Sequence, residues 1–248
     1  APVTALISKP YAAAWRASID AKKATSSATL QRPAGFLPAP PTPATTAPDH
    51  HNTTHYSVVD AEGNAVSVTT TINDSFGSGA TAEGLGFILN DEMDDFVSKI
   101  GVPNLYGLIQ GPANAIAPGK RPLSSMAPAI VLRGTGAGAK LFMVLGTPGG
   151  SRIPTTVANF LLSVVNGGLN IQQSVDALRF HMQYLPDEVH LEPGFPQATL
   201  SRLRAMGYTL DIGKDSWTDG ECILIDPAAG TLEAGQDKRT HFGKAAGY

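Results

Sequence analysis

The sequence has one cysteine, Cys222, among 248 residues, which excludes an internal disulfide and a cysteine-rich metal site. It contains no lysine or arginine run, and its net charge of −3 gives no electrostatic reason to expect nucleic acid or an anionic membrane as a partner. No stretch reaches the roughly 18 apolar residues of a membrane-spanning helix. The start has neither a basic n-region nor an initiator Met, so we expect a fragment or a processed piece without its own signal peptide.

The composition divides the chain at Thr53. Residues 1–31 predict a helix and its exit, with Pro10 suited to a first helical turn. Residues 32–52 contain six prolines and almost no large apolar side chain, a composition that favours an extended linker or tail. We therefore predict two parts, a tail over residues 1–52 and a folded unit over residues 53–248.

The pattern after Thr53 predicts a mixture of strands and helices. Two β-rich runs around a Gly-containing turn at residues 53–71 predict a hairpin. Apolar spacing predicts strands at 129–132 and 141–145, helices at 153–165, 171–180 and 196–206, and a closing hairpin from 221–225 and the stretch at Thr231. Because the elements do not alternate as βαβ units, we expect an α+β fold of sheets with helices packed on them.

Thr53 stands where the proline-rich segment meets the first strand. A threonine hydroxyl is a weak nucleophile at neutral pH and needs a neighbouring base. Cleavage of the bond between Asn52 and Thr53 would give the same residue an α-amine, which titrates near about 7.7–8.0 and can accept the hydroxyl proton. The uncut chain has only an amide there, so we expect it to be inactive. By pattern alone, a Thr-Thr pair at the start of a strand is better explained by β-propensity than by catalysis.

Five blocks of sequence carry a resemblance to a known family. They are Asn-Thr-Thr-His-Tyr-Ser-Val-Val-Asp at 52–60, Asn-Asp-Glu-Met-Asp-Asp-Phe at 90–96, Gly-Lys-Arg-Pro-Leu-Ser-Ser-Met at 119–126, Gly-Thr-Pro-Gly-Gly-Ser-Arg at 146–152 and Arg-Phe-His-Met-Gln-Tyr-Leu-Pro-Asp-Glu at 179–188. In this order they resemble the catalytic part of the γ-glutamyltransferases. The resemblance runs from Thr53 almost to Tyr248 and is loosest after about Phe195.

The resemblance implies an N-terminal-nucleophile hydrolase, an αββα sandwich that is incomplete without a large subunit. It implies that Thr53 is the nucleophile after autocatalytic cleavage, and that the Thr71 hydroxyl hydrogen-bonds it. It implies that Gly149 and Gly150 form the oxyanion hole, where glycine lets two backbone N–H groups approach the tetrahedral intermediate. Without the resemblance, Thr71 is one more β-branched strand residue, and the Pro-Gly-Gly sequence is a plain turn.

The resemblance also implies a set of substrate-binding residues. They are Asn73, Glu92 and Asp95 for the α-amino end of the γ-glutamyl group, Ser124 and Ser125 for its α-carboxylate, and Tyr106 as a lid over it. Carboxylates suit an ammonium group because charge-assisted hydrogen bonds are strong. The residues alone leave open a solvated acidic loop, a serine turn and a surface tyrosine. An arginine of the large subunit is implied as a second partner of the α-carboxylate.

The implied activity is hydrolysis and transfer of γ-glutamyl groups, with glutathione or a related donor and with water, an amino acid or a peptide as acceptor. No metal or organic cofactor is implied, and the implied partner is the large subunit cut from the same precursor. The implied location is periplasmic or secreted. One alternative is an acylase of the same superfamily that acts on glutaryl or β-lactam side-chain amides; it should lack the acidic pair Glu92 and Asp95. Another is an unprocessed zymogen or a binding subunit.

The remaining polar candidates are interpreted as structural. Three histidines, His50, His51 and His55, are expected to be polar residues of the tail, because no carboxylate or cysteine completes a metal site. We expect Arg152 and Arg179 to be ion-pair partners, and Asp237 and Arg239 to be structural. Cys222 is expected to pack in a strand as a small apolar residue.

Overall fold

The computed structural model describes residues 3–30, 33, 53–214, 217–226, 228–240 and 243–247. In chain order the α-helices are α1 (Val3–Leu6), α2 (Lys9–Ala17), α3 (Ile153–Val165), α4 (Ile171–Asp176) and α5 (Gln197–Ala205). The strands are β1 (Thr53–Val59), β2 (Ala65–Thr71), β3 (Ala129–Arg133), β4 (Lys140–Leu145), β5 (Phe180–His181), β6 (Val189–Leu191), β7 (Leu210–Ile212), β8 (Glu221–Ile225) and β9 (Leu232–Gln236). Within these ranges, no helix has the length and apolar character needed to cross a membrane.

The segment before the hairpin begins with the predicted helix. The hydroxyl of Ser8 accepts the N–H of Tyr11 at the start of α2, and Pro10 occupies the first turn, where no helical N–H bond is lost. Further on, Ser26 and Ser27 donate hydrogen bonds of 2.8–2.9 Å to the carboxylate of Asp187, which ties this segment to the body of the fold. The predicted linker at 32–52 lies outside the described residues, apart from residue 33. His50, His51 and Asn52 belong to that stretch.

Strands β1 and β2 form the predicted antiparallel hairpin. Thr53, the first residue of β1, pairs in register with Thr71, the last residue of β2. The turn is closed by the carboxylate of Asp60, which accepts the backbone N–H of Asn64 at 2.8 Å. The hairpin places its two end threonines side by side, and this arrangement positions the candidate site.

A four-stranded antiparallel sheet with the order β3-β4-β8-β9 lies at the centre of the fold. Because side chains alternate between the two faces of a strand, one face packs against α3 and α4 through buried residues such as Met143, Leu145, Phe160 and Val175. Full burial of such a side chain contributes about 1.5–3 kcal/mol. The hairpin packs on the other face. The result is an α+β fold with two stacked sheets and one helical layer, and the strands predicted for it are confirmed.

A second small sheet, β5-β6-β7, corrects the sequence prediction. The helix expected over 171–180 ends at Asp176, because Ala177 is already extended at φ −62° and ψ 145°. From there the chain must carry Arg179, only 1% exposed, into the interior, where its backbone N–H donates to the carboxylate of Glu192 at 2.9 Å. These strands have two or three residues each and form through pairing with distant segments, so periodicity gives no signal for them. The predicted helix at 196–206 is confirmed as α5.

Candidate active site

The hydroxyls of Thr53 and Thr71 meet at the open end of the hairpin. Thr53 Oγ1 donates a hydrogen bond of 3.1 Å to Thr71 Oγ1, which also accepts the backbone N–H of Asn73 at 2.9 Å. The pairing register decides this contact, since Thr53 and Thr71 are direct cross-strand partners. The structure therefore brings the two threonines predicted from sequence into hydrogen-bond distance.

Asn73 and Tyr106 continue the chain of hydrogen bonds away from the hairpin. Asn73 is buried and has a left-handed backbone conformation, with φ 72°, which asparagine tolerates better than most residues. The hydroxyl of Tyr106 donates to Asn73 Oδ1 at 2.7 Å. The Nδ2 atom of Asn73 is buried and has no hydrogen-bond partner among the described residues, so it is a donor available to a bound molecule.

Glu92 and Asp95 lie in the 3-10 helix Glu92–Asp95, which is fastened to the loop after β2. The carboxylate of Asp91 accepts the N–H of Asp74 at 3.0 Å, and that of Asp94 accepts the N–H of Leu105 at 2.8 Å. Burial, together with the nearby charge of Glu92, raises the pKa of Asp95 to about 7. Burial also raises the pKa of Glu92, whose Oε1 atom has no hydrogen-bond partner. The pair is thus short of positive charge.

The serines and glycines predicted from sequence meet at a second loop. Ser125 Oγ donates to the carbonyl oxygen of Gly150 at 2.9 Å, whereas Ser124 Oγ accepts the N–H of Met126 in its own turn at 3.2 Å. Gly149 and Gly150 have φ values of 135° and 53°, which glycine adopts without strain. Among the described residues, neither glycine's backbone N–H has a hydrogen-bond partner. Two free donors side by side are suited to binding an oxyanion.

His55 is not a residue of the polar tail, and that prediction is wrong. Its ring is buried in β1, and its Nδ1 lies 2.8 Å from Thr69 Oγ1, while its Nε2 lies 3.1 Å from Ser57 Oγ. Burial lowers the pKa of His55 to about 4, so the imidazole is neutral at pH 7. The ring packs on Gly146, where an added Cβ would come within 1.9 Å of it. His55 therefore joins the hairpin to the loop that carries Gly149 and Gly150.

A cavity of about 1050 Å³ opens beside this end of the hairpin. Its walls include Thr53, Gly149, Arg152, Trp217 and Glu221, and burial raises the pKa of Glu221 to about 7. The six predicted substrate-binding residues are not among the residues that line it. Thr53 and Gly149 thus line the cavity, whereas the acidic turn and Tyr106 do not.

A buried network of two arginines and two carboxylates lies behind the loop 217–220. Arg179 forms an ion pair with Asp237, while Arg239 forms a bidentate pair with Glu192 at 2.7–2.8 Å. The structural interpretation of Arg179, Asp237 and Arg239 is confirmed. Arg152 lies 4.7 Å from the ring centroid of Trp217, and its expected ion pairing stays a prediction. Cys222 is buried in β8, as predicted, and burial raises the pKa of its thiol to about 12.

One cluster of possible metal ligands, Glu188, His190 and Asp211, lies across β6 and β7, with donor atoms within 4.8 Å of one another. Nδ1 of His190 is 2.8 Å from the Asp211 carboxylate, and its Nε2 is 3.5 Å from that of Glu188. The two nitrogens face opposite sides of one ring, so each carboxylate pairs with its own nitrogen. The contacts of the ring with the two carboxylates account for the cluster without a metal.

Known proteins are similar to this chain in sequence and in fold. A sequence profile described as γ-glutamyltranspeptidase matches residues 1–248. The chain belongs to the γ-glutamyltranspeptidase family. The resemblance predicted from the five sequence blocks is thereby confirmed.

Individual members of the γ-glutamyltranspeptidase family are similar over much of the chain. The glutathione hydrolase proenzyme of Escherichia coli (strain K12) is 43% identical over 247 residues, which are 100% of this chain and 40% of that protein. The glutathione hydrolase proenzyme of Pseudomonas sp. (strain A14) is 50% identical over 191 residues, which are 77% of this chain and 31% of that protein. The chain therefore spans about a third to two fifths of the length of these relatives.

A solved structure of the family supports the fold in the same way. The crystal structure of a γ-glutamyltranspeptidase mutant from Helicobacter pylori has a TM-score of 0.71 and 50% identity, covering 75% of this chain and 100% of that chain. This likeness confirms the predicted fold class, an α+β fold of the N-terminal-nucleophile hydrolase type.

Two residues near the paired glycines have no counterpart among the sequence predictions. Trp217 and Thr218 are buried, and both lie against the loop that carries Gly149. The sequence around them, Trp-Thr-Asp-Gly, has only the signal of a turn. Their contacts depend on segments far away in the chain, so local pattern does not reveal them.

Proposed function

We propose that this chain is the C-terminal part of a γ-glutamyltranspeptidase proenzyme, with residues 1–52 from the end of the large subunit and residues 53–248 as the small subunit. The proposed activity is hydrolysis and transfer of γ-glutamyl groups, from glutathione or a related donor to water, an amino acid or a peptide, in the periplasm or outside the cell. The observation that carries the proposal is the 3.1 Å hydrogen bond between Thr53 Oγ1 and Thr71 Oγ1. It holds the hydroxyl of the residue that cleavage would make N-terminal.

Activation begins with the Thr53 hydroxyl. Thr53 Oγ attacks the carbonyl carbon of Asn52, the C–N bond breaks, and the nitrogen of Thr53 takes up a proton, which leaves an ester. Water then hydrolyses the ester and releases the hydroxyl beside a free α-amine. This amine titrates near about 7.7–8.0 and serves as general base, so one residue supplies both nucleophile and base.

Acyl transfer uses the same hydroxyl. As Thr53 Oγ attacks the γ-carbonyl carbon of the donor, its proton moves to the α-amine, and the free N–H groups of Gly149 and Gly150 bind the oxyanion. The bond to the leaving amine then breaks, and this amine takes the proton from the α-ammonium. Water or an acceptor amine attacks the resulting ester and restores the Thr53 hydroxyl.

Recognition of the glutamyl group depends on the unpaired polar atoms of the acidic turn. The α-ammonium supplies the positive charge that Glu92 and Asp95 lack, while Ser124 and Ser125 hold the α-carboxylate together with an arginine of the large subunit. Asn73 Nδ2 offers one further donor, and Tyr106 covers the group. This division of roles is supported by the raised pKa values of Glu92 and Asp95, because a site built around a bound cation leaves its carboxyls underpaired when empty.

The test of the activation step is the intact mass of the full-length proenzyme after incubation at neutral pH. Wild type should split so that one product begins at Thr53, and Thr53→Ala should stay whole. The matched control is Thr54→Ala, because Thr54 is the next residue of β1 but is exposed; it should split like wild type. If folded wild type stays whole, the nucleophile assignment fails, and the zymogen or binding-subunit interpretation takes its place.

A pair of anilides then tests the substrate class. A γ-glutamyl anilide and a glutaryl anilide differ only in the α-amino group. We expect the processed enzyme to prefer the γ-glutamyl compound by about tenfold or more, as expected for a charge-assisted hydrogen bond worth about 1.5–3 kcal/mol. Equal turnover of the two compounds would indicate an acylase instead.

A further inference from the structure

The loop 217–220 braces the loop that carries Gly149 and Gly150. The backbone N–H of Glu221 donates to the carbonyl of Gly146 at 3.2 Å, and that of Asp219 donates to Thr147 Oγ1 at 3.1 Å. These bonds fix the beginning of the glycine loop against the segment that precedes β8.

Between these bonds, Thr218 contacts Gly149 directly. A Cβ built on Gly149 would lie 2.3 Å from the Cγ2 methyl of Thr218, so the threonine side chain fills the space that any other residue at 149 would need. Gly149 is also one of the two residues whose N–H group is free. The position of that donor therefore depends on where the Thr218 side chain is held.

Thr218 is itself held in a strained conformation. Its φ is 68°, a left-handed value that is a genuine outlier for a β-branched residue. Such strain persists only where the surroundings over-determine the conformation. Here the guanidinium of Arg179 donates from Nη1 both to Thr218 Oγ1 and, at 2.9 Å, to the carbonyl of Trp217.

The arginine is fixed in turn from the opposite side. Arg179 Nη2 donates to the carbonyl of Val175 at 2.8 Å and to Asp237 Oδ2, and the same oxygen accepts the N–H of Gly220 at 2.9 Å. Arg179 and Asp237 are at most 1% exposed, so water does not compete for these bonds. A rigid chain of contacts thus runs from Asp237 through Arg179 and Thr218 to Gly149.

We propose that Thr218 is a positioning residue for the oxyanion hole. It acts through Gly149, by fixing the backbone N–H of that glycine at the place where the tetrahedral oxygen develops. The proposal rests on the proposed function, in which Gly149 and Gly150 bind the oxyanion. Because oxyanion donors act only at about 2.7–3.1 Å, and a misplacement of about 1 Å can cost a factor of about 100, loss of the Thr218 anchor should lower kcat. The KM should change little, since no predicted glutamyl-binding residue contacts Thr218.

The test compares substitutions of Thr218 in the full-length, processed enzyme with a γ-glutamyl anilide. Thr218→Val keeps the shape but removes the oxygen that Arg179 holds, so we expect kcat to fall about tenfold or more and KM to change less than about threefold. Thr218→Ser keeps the oxygen that Arg179 holds but lacks the Cγ2 methyl that contacts Gly149, so kcat should recover only in part. The matched control is Thr156→Val, because Thr156 is fully buried in α3 and its Oγ1 has no partner; its kcat should equal that of wild type.

Each outcome bears on one proposal. The fraction of cleaved enzyme is measured by intact mass and used to normalise kcat, and Thr218→Ala, which adds no bulk, replaces the valine variant if that variant does not fold. If kcat is unchanged in Thr218→Val, or in Thr218→Ala used in its place, while Thr53→Ala is inactive, the role of Thr218 is overturned. The proposed function then still stands. A loss confined to KM overturns the role of Thr218 as well. Wild type that neither cleaves itself nor turns over the anilide overturns the proposed function instead.

Discussion

Two groups of buried or partly buried carboxyls in the described residues differ in whether they have an arginine partner. Asp237 and Glu192, behind the glycine loop, pair with Arg179 and Arg239. Although burial opposes it, the charge of Arg179 and the backbone hydrogen bonds lower the pKa of Asp237. In the acidic turn no arginine faces Asp95 among the described residues, and burial raises its pKa to about 7.

Under the proposed function, the presence or absence of an arginine partner distinguishes carboxyls that stabilise the fold from carboxyls that bind the substrate. A buried carboxylate with its own arginine is satisfied without a ligand and serves the fold, whereas one that lacks a cation is satisfied only when a ligand brings it. The paired group lies behind the loop that carries Gly149, and the acidic turn is fastened to the loop that follows Thr71. The site is thus made of a rigid support on one side and an underpaired surface on the other.

The largest effect is expected from a variant that removes an arginine of the paired group. Arg179→Ala leaves Asp237 Oδ2 buried without its arginine, since Arg239 donates only to Oδ1, and we expect the free energy of unfolding to fall by about 3–5 kcal/mol. Urea unfolding of the proenzyme measures it. The control is Lys238→Ala, which removes a surface ion pair to Asp176 whose lysine is 74% exposed, and which should cost less than about 1 kcal/mol. An equal decrease in the free energy of unfolding for Arg179→Ala and Lys238→Ala would show that the buried pair stabilises the fold no more than a surface pair.

The next effect concerns the unpaired group. Asp95→Asn removes one charge that would hold the α-ammonium, and we expect kcat/KM for a γ-glutamyl anilide to fall by about 10- to 100-fold, as for a charged hydrogen bond of about 1.5–3 kcal/mol. Steady-state kinetics measure the change. Turnover of the glutaryl anilide, which has no α-amino group, should stay the same. An equal loss with both compounds would show that Asp95 supports the fold rather than the ammonium.

A smaller effect is expected from the lid tyrosine. Tyr106→Phe removes the hydroxyl that donates to Asn73 Oδ1 at 2.7 Å, and kcat/KM should fall about two- to tenfold, which corresponds to about 0.5–1.5 kcal/mol. The matched control is Tyr56→Phe on the outer face of the hairpin, where the side chain is 50% exposed. An unchanged kcat/KM for Tyr106→Phe would show that the Tyr106 hydroxyl does not contribute to substrate recognition.

The smallest expected effect is a change in how stability depends on pH. Between the ordinary value of 3.8 and about 7, Asp95 keeps its proton in the folded state and loses it in the unfolded chain, so its contribution to stability falls as pH rises through this window. Asp95→Asn should therefore reduce the decline in the free energy of unfolding from pH 4 to pH 7. Unfolding curves at several pH values measure it, and an unchanged slope would mean that Asp95 is ionised in the folded protein.

The elements that carry the candidate site were predictable because they are local, whereas the roles of their residues were implied only by the family resemblance. The hairpin, the threonine at its start and the paired glycines each depend on residues adjacent in sequence, through β-propensity, turn chemistry and the freedom of glycine at positive φ. The same holds for Ile153–Val165, where apolar spacing over 13 residues gave a helix with both ends correct. His55 was misjudged because its neighbours in sequence are polar, while its surroundings in space are Thr69 and Gly146.

The sequence by itself determined the family and the hairpin that pairs Thr53 with Thr71, since motif order and strand pattern follow from the order of residues along the chain. The tertiary structure alone decided which charged residues pair, why the helix after Ile171 stops at Asp176, and how Thr218 is held at φ 68°. Arg179 and Asp237 are 58 residues apart. Burial lowers the pKa of Arg179 and raises that of Asp95, whereas the pKa of Asp237 is lowered against the effect of burial by the charge of Arg179 and by hydrogen bonds. Burial and long-range pairing are properties of the packed chain, so no local pattern contains them.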